Sequence, residues 1–309
     1  MYPASLSKLA FGTGGRFGRL DRSEAFELVS FAFANGIAVF DTGVPYCNGR
    51  SQLLLYKSLA HLGVERKSFS ICTKISAEAL LASSKSEIVS MLFSGFQDQL
   101  SYLDTVMLWG PSLRDLANLK AINVLRDLQS SGIIGRIGVN THHARVMNHL
   151  IGSSELIFVD DLMVDFNILQ NSRAPIINRF TQSRASRQVW AGTSLCQGFL
   201  LQSLFSMYIR TRSVSYLARA FWCPATRVYL KKASSIRRLL RKSFGLHWRR
   251  VPLSFALNES CVSHVPVGML SKLSISENID IEYSPVDASL VRDFVLALPG
   301  GLVVDDVFA

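Results

Sequence analysis

The sequence predicts an α/β fold, a single (β/α)8 barrel of TIM type, on three observations. Short apolar strands alternate with helical stretches, about eight such units fit along the chain, and 309 residues is the size one barrel of this kind occupies. The alternation of strand and helix implies a parallel sheet, whose chemistry gathers at the C-terminal ends of the strands.

Leu9, Ala10 and Phe11 form the first apolar run, broken by the turn Gly12-Thr13-Gly14-Gly15. Asp21 and Glu24 have the spacing of a capping box, the Asp accepting from an exposed backbone N–H and the Glu reaching back. The helix they start is expected to carry Phe26, Val29, Ala32 and Phe33 on one face and to stop at Asn35-Gly36. The unit then repeats: strand 38–41 with helix 51–61, strand 69–73 with a helix around 85–103, strand 105–108 with helix 114–131, and strand 134–139 with helix 144–151. Residues 162–166 and 189–191 read as the sixth and seventh strands and 263–267 as the eighth, followed by a helix through Glu277. A dinucleotide-binding Rossmann opening competes for residues 9–41, but the glycines are spaced wrongly. After Gly12 and Gly14 the third glycine position is Phe17, and the helix begins at the Asp21 box rather than on the glycines.

Half of the residues are hydrophobic and the mean hydropathy is positive, enough for a large core. No apolar run reaches the roughly 18 residues of a membrane span, and the N-terminus lacks the basic start and apolar block of a secretion signal. Cys47, Cys72, Cys196, Cys223 and Cys261 are odd in number and scattered, which predicts reduced thiols, a cytoplasmic location and no metal site. The net charge of +10 is concentrated: residues 166–258 hold sixteen Lys and Arg and no Asp or Glu, against 17 basic and 23 acidic residues elsewhere. Such a stretch sets up a positive field. Its densest part, within a basic segment 205–250, has Lys231, Lys232, Arg237, Arg238, Arg241, Lys242, Arg249 and Arg250 among Leu239, Leu240, Phe244 and Leu246. It reads either as an outer helix with a solvated face or as an attractor of an anionic ligand or membrane surface. Nucleic acid is not expected, because no recognised binding module accompanies the charge. The tail 296–309 is apolar and acidic, a candidate cover for the barrel mouth.

The residues just beyond each strand carry the chemistry. Strand two ends in Asp41, and Tyr46 follows in a loop marked by Gly43, Pro45 and Gly49. Strand three ends in Lys74, strand four in Trp109, strand five in Asn140 and Thr141, strand six in Asn167, and strand seven leads to Ser194 and Gln197. A lysine ending an apolar strand is costly to bury unpaired, and Asp41 on the neighbouring strand is its natural partner. Tyr46 beside that ammonium is expected to have its pKa pulled below the usual value of about 10, which suits a proton donor to an oxyanion near neutral pH. The alternative is a structural Asp–Lys pair with a bystander tyrosine.

These residues resemble the aldo-keto reductases over almost the whole chain. The family's D-T-x-x-x-Y is Asp41 to Tyr46, followed by Asn48-Gly-Arg-Ser-Gln52; its T-K is Thr73-Lys74 and its L-H is Leu108-Trp109. The segment from Gly132 through Ile137-Gly-Val-Asn140-Thr141 resembles the family's glycine-led segment ending I-G-V-S-N, and Phe166-Asn167-Ile-Leu169 its Y-N-x-L. Ser194-Leu-Cys-Gln-Gly-Phe-Leu200 stands for P-L-x-x-G-x-L, and Gly268, Ser271, Glu277 and Asn278 fit the C-terminal G-x-x-S with E-N. The resemblance implies NADP(H)- or NAD(H)-dependent interconversion of a carbonyl and an alcohol on a small molecule; the basic stretch and the polar loops suggest a sugar derivative or an anionic compound. Tyr46 would protonate the oxygen, Lys74 would tune it, and Asp41 would hold Lys74. Gly12, Thr13, Asn140, Thr141, Ser194, Leu195, Gln197, Gly198, Ser271, Lys272, Glu277 and Asn278 would bind the cofactor. Several family positions differ: Trp109 replaces the histidine that bonds the substrate carbonyl, Met163 a glutamine, Gly192 an aromatic or arginine, and Leu270 a basic residue. Losing a donor to the reacting oxygen typically costs about 10²–10³ in rate; His142 and His143 lie at the same face as candidate substitutes. The other reading is a catalytically weakened barrel that serves as a nucleotide-binding sensor or accessory subunit.

Overall fold

A computed structural model describes residues 7–211, 222 and 224–303. Cys223, part of the basic segment and the tail beyond residue 303 lie outside the described residues. The eight strands are β1 (Leu9–Gly12), β2 (Val39–Asp41), β3 (Ser70–Ile75), β4 (Leu103–Trp109), β5 (Ile134–Thr141), β6 (Asp161–Asp165), β7 (Gln188–Gly192) and β8 (Val265–Gly268). Each pairs in parallel with its sequence neighbour from β1 to β7, and β8 pairs with β1. The ring closes between β7 and β8 through the Ala191 N–H on the His264 carbonyl (2.7 Å) and the Ser263 N–H on that of Val189 (2.8 Å). This is the (β/α)8 barrel, and the Rossmann alternative is excluded.

Helices α1 (Arg22–Ala34), α2 (Arg50–His61), α3 (Ala77–Ala82), α4 (Lys85–Phe93), α5 (Gln97–Leu100), α6 (Leu113–Asn118), α7 (Lys120–Ser130), α8 (Ala144–Gly152) and α9 (Ala174–Gln182) occupy the first six connections. The Asp21–Glu24 capping box forms at the start of α1, but the buried face is Ala25, Leu28, Val29 and Ala32, leaving Phe26 half-buried against His61. Two expected single helices are divided. Ser94 and Gly95 take left-handed conformations that end α4, and Leu119, also left-handed, separates α6 from α7.

The connection after β7 holds α10 (Leu204–Thr211), α11 (Pro224–Phe244) and α12 (Val251–Asn258); α13 (Lys272–Tyr283) and α14 (Ala288–Leu296) follow β8. The basic helix α11 packs one apolar face inward and leaves Lys231, Arg238, Arg241 and Lys242 exposed, an outer helix with a solvated basic face. Tyr229, Ala233, Ile236 and Leu240 join Phe199, Leu200, Trp248 and Val291 in a second apolar cluster. Arg237 is buried there and donates to the carbonyls of Phe199 and, at 3.0 Å, Gln202, while Arg241 and Arg249 both lie on the Trp248 ring.

Alternation along each strand sorts the barrel interior into layers. Low in the barrel, Asp161 on β6 accepts from Thr105 on β4 (3.0 Å) and from Arg136 on β5 (2.9 and 3.0 Å). Above them Ala10, Cys72, Met107, Met163 and Trp190 form a small apolar plug. Two residues further along each strand the interior opens at the C-terminal mouth.

Candidate active site

On the β2–β3 side of the mouth, Lys74 is fully buried and donates to Asp41 and, at 2.8 Å, to the carbonyl of Thr42. Burial alone would strip the proton from Lys74, but the Asp41 carboxylate more than reverses that and holds it as an ammonium, its pKa above the ordinary lysine value. The Lys74 nitrogen lies 4.9 Å from the centre of the Tyr46 ring. The loop that delivers this phenol is wound tightly: Cys47, Asn48 and Gly49 have φ of 49°, 54° and 82°, three left-handed residues in succession before α2 begins. Two of them are not glycine, and such conformations cost energy that the surrounding packing must supply. Gly18, in the loop after β1, gives part of that packing; a Cβ built there would lie 2.6 Å from the Cβ of Cys47.

The expected direction of the Tyr46 shift is wrong. Burial disfavours the phenolate more strongly than Lys74 favours it, and the pKa is raised rather than lowered. Near neutrality the phenol keeps its proton.

The β5–β7 side carries a different polar group. The His142 Nδ1 lies 2.6 Å from Asp165, which also accepts from the Thr193 hydroxyl (2.8 Å) and faces Arg173 at 3.7 Å. Arg173 in turn donates to the backbone carbonyls of Asp165 (2.8 Å) and His142 (2.6 Å). Asn167 donates to Gln170 (2.9 Å) and to the Thr193 carbonyl (3.0 Å), and the buried Gln170 Nε2 has no hydrogen-bond partner among the described residues. Sequence reasoning named His142 and Asn167 but not Asp165, Arg173 or Gln170. Asp165 had a visible signal, a carboxylate ending an apolar strand as Asp41 does; the other two sit in an irregular turn without periodicity.

Between these two walls stands Trp109, 40% exposed at the end of β4 and in register with Asn140. Opposite it the mouth-level positions on β7, β8 and β1 are Gly192, Gly268 and Gly12, so no side chain rises from that arc.

The sequence profile of the Aldo/keto reductase family matches residues 8–294. The chain belongs to the aldo-keto reductase family. Among solved structures, an aldo-keto reductase from Bacillus halodurans in its holo form shares 18% identity at a TM-score of 0.70, covering 98% of this chain and 95% of that one. One from Klebsiella pneumoniae in complex with NADP and acetate shares 14% at 0.67, covering 94% and 90%. A putative 2,5-diketo-D-gluconic acid reductase B shares 15% at 0.67, covering 98% and 94%. No curated protein matches the sequence. Membership places the chain among the NAD(P)-dependent oxidoreductases, with a nicotinamide dinucleotide as cofactor.

Around the aldo-keto reductase mouth the arc of Gly192, Gly268 and Gly12 carries no side chain at this level. The Asn140 amide donates to the Met163 carbonyl at 3.5 Å. Thr13 and Thr141 are buried; Thr13 is spent on Thr42 (2.8 Å) and the Asp41 carbonyl, and the Thr141 hydroxyl accepts from the His143 N–H at 3.1 Å. In the loop after β7, Thr193, Cys196, Gln197 and Gly198 all have positive φ; Ser194 is buried, Leu195 and Gly198 half-buried and Gln197 exposed. Ser271 caps the N-terminus of α13, accepting from the Ser274 N–H at 3.1 Å. Lys272 is engaged with Glu27 of α1 at 3.0 Å, while Glu277 is exposed and Asn278 half-buried further along α13. No helix among the described residues is long and apolar enough to cross a membrane, and no cluster of His, Cys, Asp or Glu there has the makings of a metal site.

Proposed function

We propose that the chain reduces a carbonyl group on a small molecule to the alcohol, with Tyr46 as the proton donor. The observation that supports this best is the buried Asp41–Lys74 pair beneath the Tyr46 ring. Desolvating a lysine is expensive, and a barrel gains little stability from doing so at its mouth. A bound dihydronicotinamide supplies the hydride. As charge builds on the carbonyl oxygen, the Tyr46 hydroxyl passes it a proton, and the fixed ammonium of Lys74 stabilises the phenolate that remains. Asp41 keeps Lys74 charged and in place. Trp109 offers one indole N–H toward the bound compound and shields it from water, without the titrating donor found in relatives.

The raised Tyr46 pKa favours the reductive direction. A phenol that holds its proton is ready to donate it, whereas alcohol oxidation requires the phenolate as base. Asn140 and Thr141 would meet the carboxamide, the loop from Ser194 to Gly198 and the Gly12-Thr13 turn would border the ring and phosphates, and Ser271, Lys272, Glu277 and Asn278 would meet the adenosine end. Following NADPH or NADH oxidation across a panel of small aldehydes and ketones tests the reading, with Tyr46→Phe as control. Turnover abolished by that substitution supports it; full turnover by the variant refutes it.

A further inference from the structure

No residue of α11 has a part in the proposed reaction, yet this helix concentrates the positive charge of the chain. Its apolar face, with Ala233, Ile236 and Leu240, is buried in the second cluster. At 3.6 residues per turn, Arg227, Lys231, Ser234, Arg238, Arg241 and Lys242 follow one another along the opposite face, and all six are exposed. The row from 227 to 242 is about 22 Å long at 1.5 Å per residue. Cations off this row are engaged by the protein: Lys232 donates to the Val303 carbonyl at 2.8 Å, Arg237 to the carbonyls of the loop after β7, and Arg250 pairs with Asp280. Arg241 rests on the Trp248 ring, and none of the five cations in the row makes an ion pair among the described residues. No Asp or Glu stands between Phe166 and Asn258 to offset them. A row of cations left without carboxylates is complementary to a negatively charged surface.

The apolar side chains beside the row decide which kind of surface. Leu246, in the turn that ends α11, is 98% exposed, and Trp222, just before α11, is 84% exposed. On α10, Phe205 and Ile209 stand one turn apart and are exposed as well. Leu246 and Ile209 neither stack on a base nor bond a phosphate, so they add nothing to the binding of a nucleic acid. They gain by entering the boundary between lipid headgroups and acyl chains, where Trp is also at home. We propose that the exposed face of α11 docks the protein on an anionic lipid surface, with the cations among the headgroups and Leu246 entering the acyl boundary. The apolar face of α11 is already spent on the barrel, so the attachment is electrostatic in the main, reversible and sensitive to salt.

Cosedimentation with vesicles of phosphatidylcholine alone, and of equimolar phosphatidylcholine and phosphatidylserine, tests this without reference to turnover. Binding is expected to the anionic vesicles only. It should weaken as ionic strength rises from about 0.1 M to about 1 M, where the screening length falls from about 10 Å to about 3 Å. Each Lys or Arg near an anionic leaflet strengthens binding about fivefold, so Lys231→Gln combined with Arg238→Gln should weaken it by about 25-fold. Ser234→Glu sets a carboxylate within the row and should weaken it about fivefold, and Leu246→Ser about tenfold. All four positions are exposed, so the melting temperature should stay that of the parent in every variant. Poly(U), titrated alongside, distinguishes lipid from nucleic acid, since Leu246→Ser should leave its binding unchanged. Equal binding to the two kinds of vesicle, binding to neither, or anionic-vesicle binding that the double variant or Leu246→Ser retains in full overturns the proposal. A preference for poly(U) over the anionic vesicles at equal concentration of negative charge overturns it as well.

Discussion

The two walls of the barrel mouth are built on opposite terms. On the β2–β3 side the chain accepts two strained non-glycine residues, a buried lysine and a crowded glycine in order to seat one phenol. On the β5–β7 side Met163 and Gly192 bring no polar side chain to the mouth, and a separate network joins His142, Asp165, Thr193 and Arg173. On the proposed function the difference follows from what each side would do. A proton transfer tolerates little displacement, because its rate falls steeply once donor and acceptor leave hydrogen-bond reach. A cofactor is held by many contacts of modest strength, so one contact is dispensable where others remain.

The largest expected effect falls on the strained side. Tyr46→Phe should lower reductase kcat by about 10²–10⁴, the usual range for a lost acid, while leaving the melting temperature close to that of the parent. Lys74→Met should lower activity and also destabilise the fold by about 3–5 kcal/mol, because Asp41 would stay buried without its partner. Urea unfolding separates the two substitutions. Equal stability of both variants would mean that the ion pair is not the cost it is taken to be here.

The strained side was also the more legible from sequence, because its chemistry forces a visible pattern. A lysine at the end of an apolar strand demands a carboxylate, and the pairing of Lys74 with Asp41 follows from that cost alone. The fold was legible for a similar reason, since alternating strand and helix with intervening caps leaves few architectures. The direction of the Tyr46 shift was not, because sequence reveals the neighbouring charge but not the depth of burial, and here burial wins. Nor were the breaks at Ser94 and Leu119, where left-handed residues other than glycine interrupt helices that periodicity runs through. The Asp165 network was missed because Arg173 lies in a short 3-10 helix, 168–173, that shows no apolar periodicity in the sequence.

A third test concerns the seam where the barrel closes. His264, just before β8, packs its ring 4.2 Å from that of Trp190, and its Nδ1 has no hydrogen-bond partner among the described residues. Burial, with Arg136 adding to it, lowers its pKa from 6.5 to about 4. The unfolded chain therefore binds the extra proton between pH 6.5 and 4, so the contribution is complete above pH 6.5 and is lost as pH falls toward 4. The loss should reach up to about 3 kcal/mol. Chemical denaturation at pH 7 and pH 4.5 measures it, and His264→Phe should flatten that part of the pH dependence.

Gly18→Ala should move the strained wall without touching its chemistry. The added methyl would press on Cys47 and on the Ser51 hydroxyl, each 2.6 Å away, and Cys47 adjoins Tyr46. A stability loss of about 1–3 kcal/mol is expected from such overpacking. Activity should fall through kcat more than KM, because the phenol is displaced while the opposite wall is untouched. A loss confined to KM would place the effect elsewhere.

The smallest expected effect asks whether the dispensed contact on the β6 side can be restored. Met163 contributes to the apolar plug with Met107 and Trp190, and it is the neighbour in register of Asn140, whose amide donates to the Met163 carbonyl at 3.5 Å. Met163→Gln places a second amide beside the first at nearly constant volume, so the carboxamide of the cofactor would gain a partner. Tryptophan quenching by NADPH should show affinity rising by about three- to tenfold, the size of one neutral hydrogen bond. The amide must also stand in an apolar plug, so the cofactor-free protein should lose about 1–2 kcal/mol. Tighter binding with a less stable apoprotein would show that this side exchanged grip for packing. A stability loss without any gain in affinity would mean that the ring does not lie over β5 and β6, and that the glycine arc of β7, β8 and β1 positions it by shape alone.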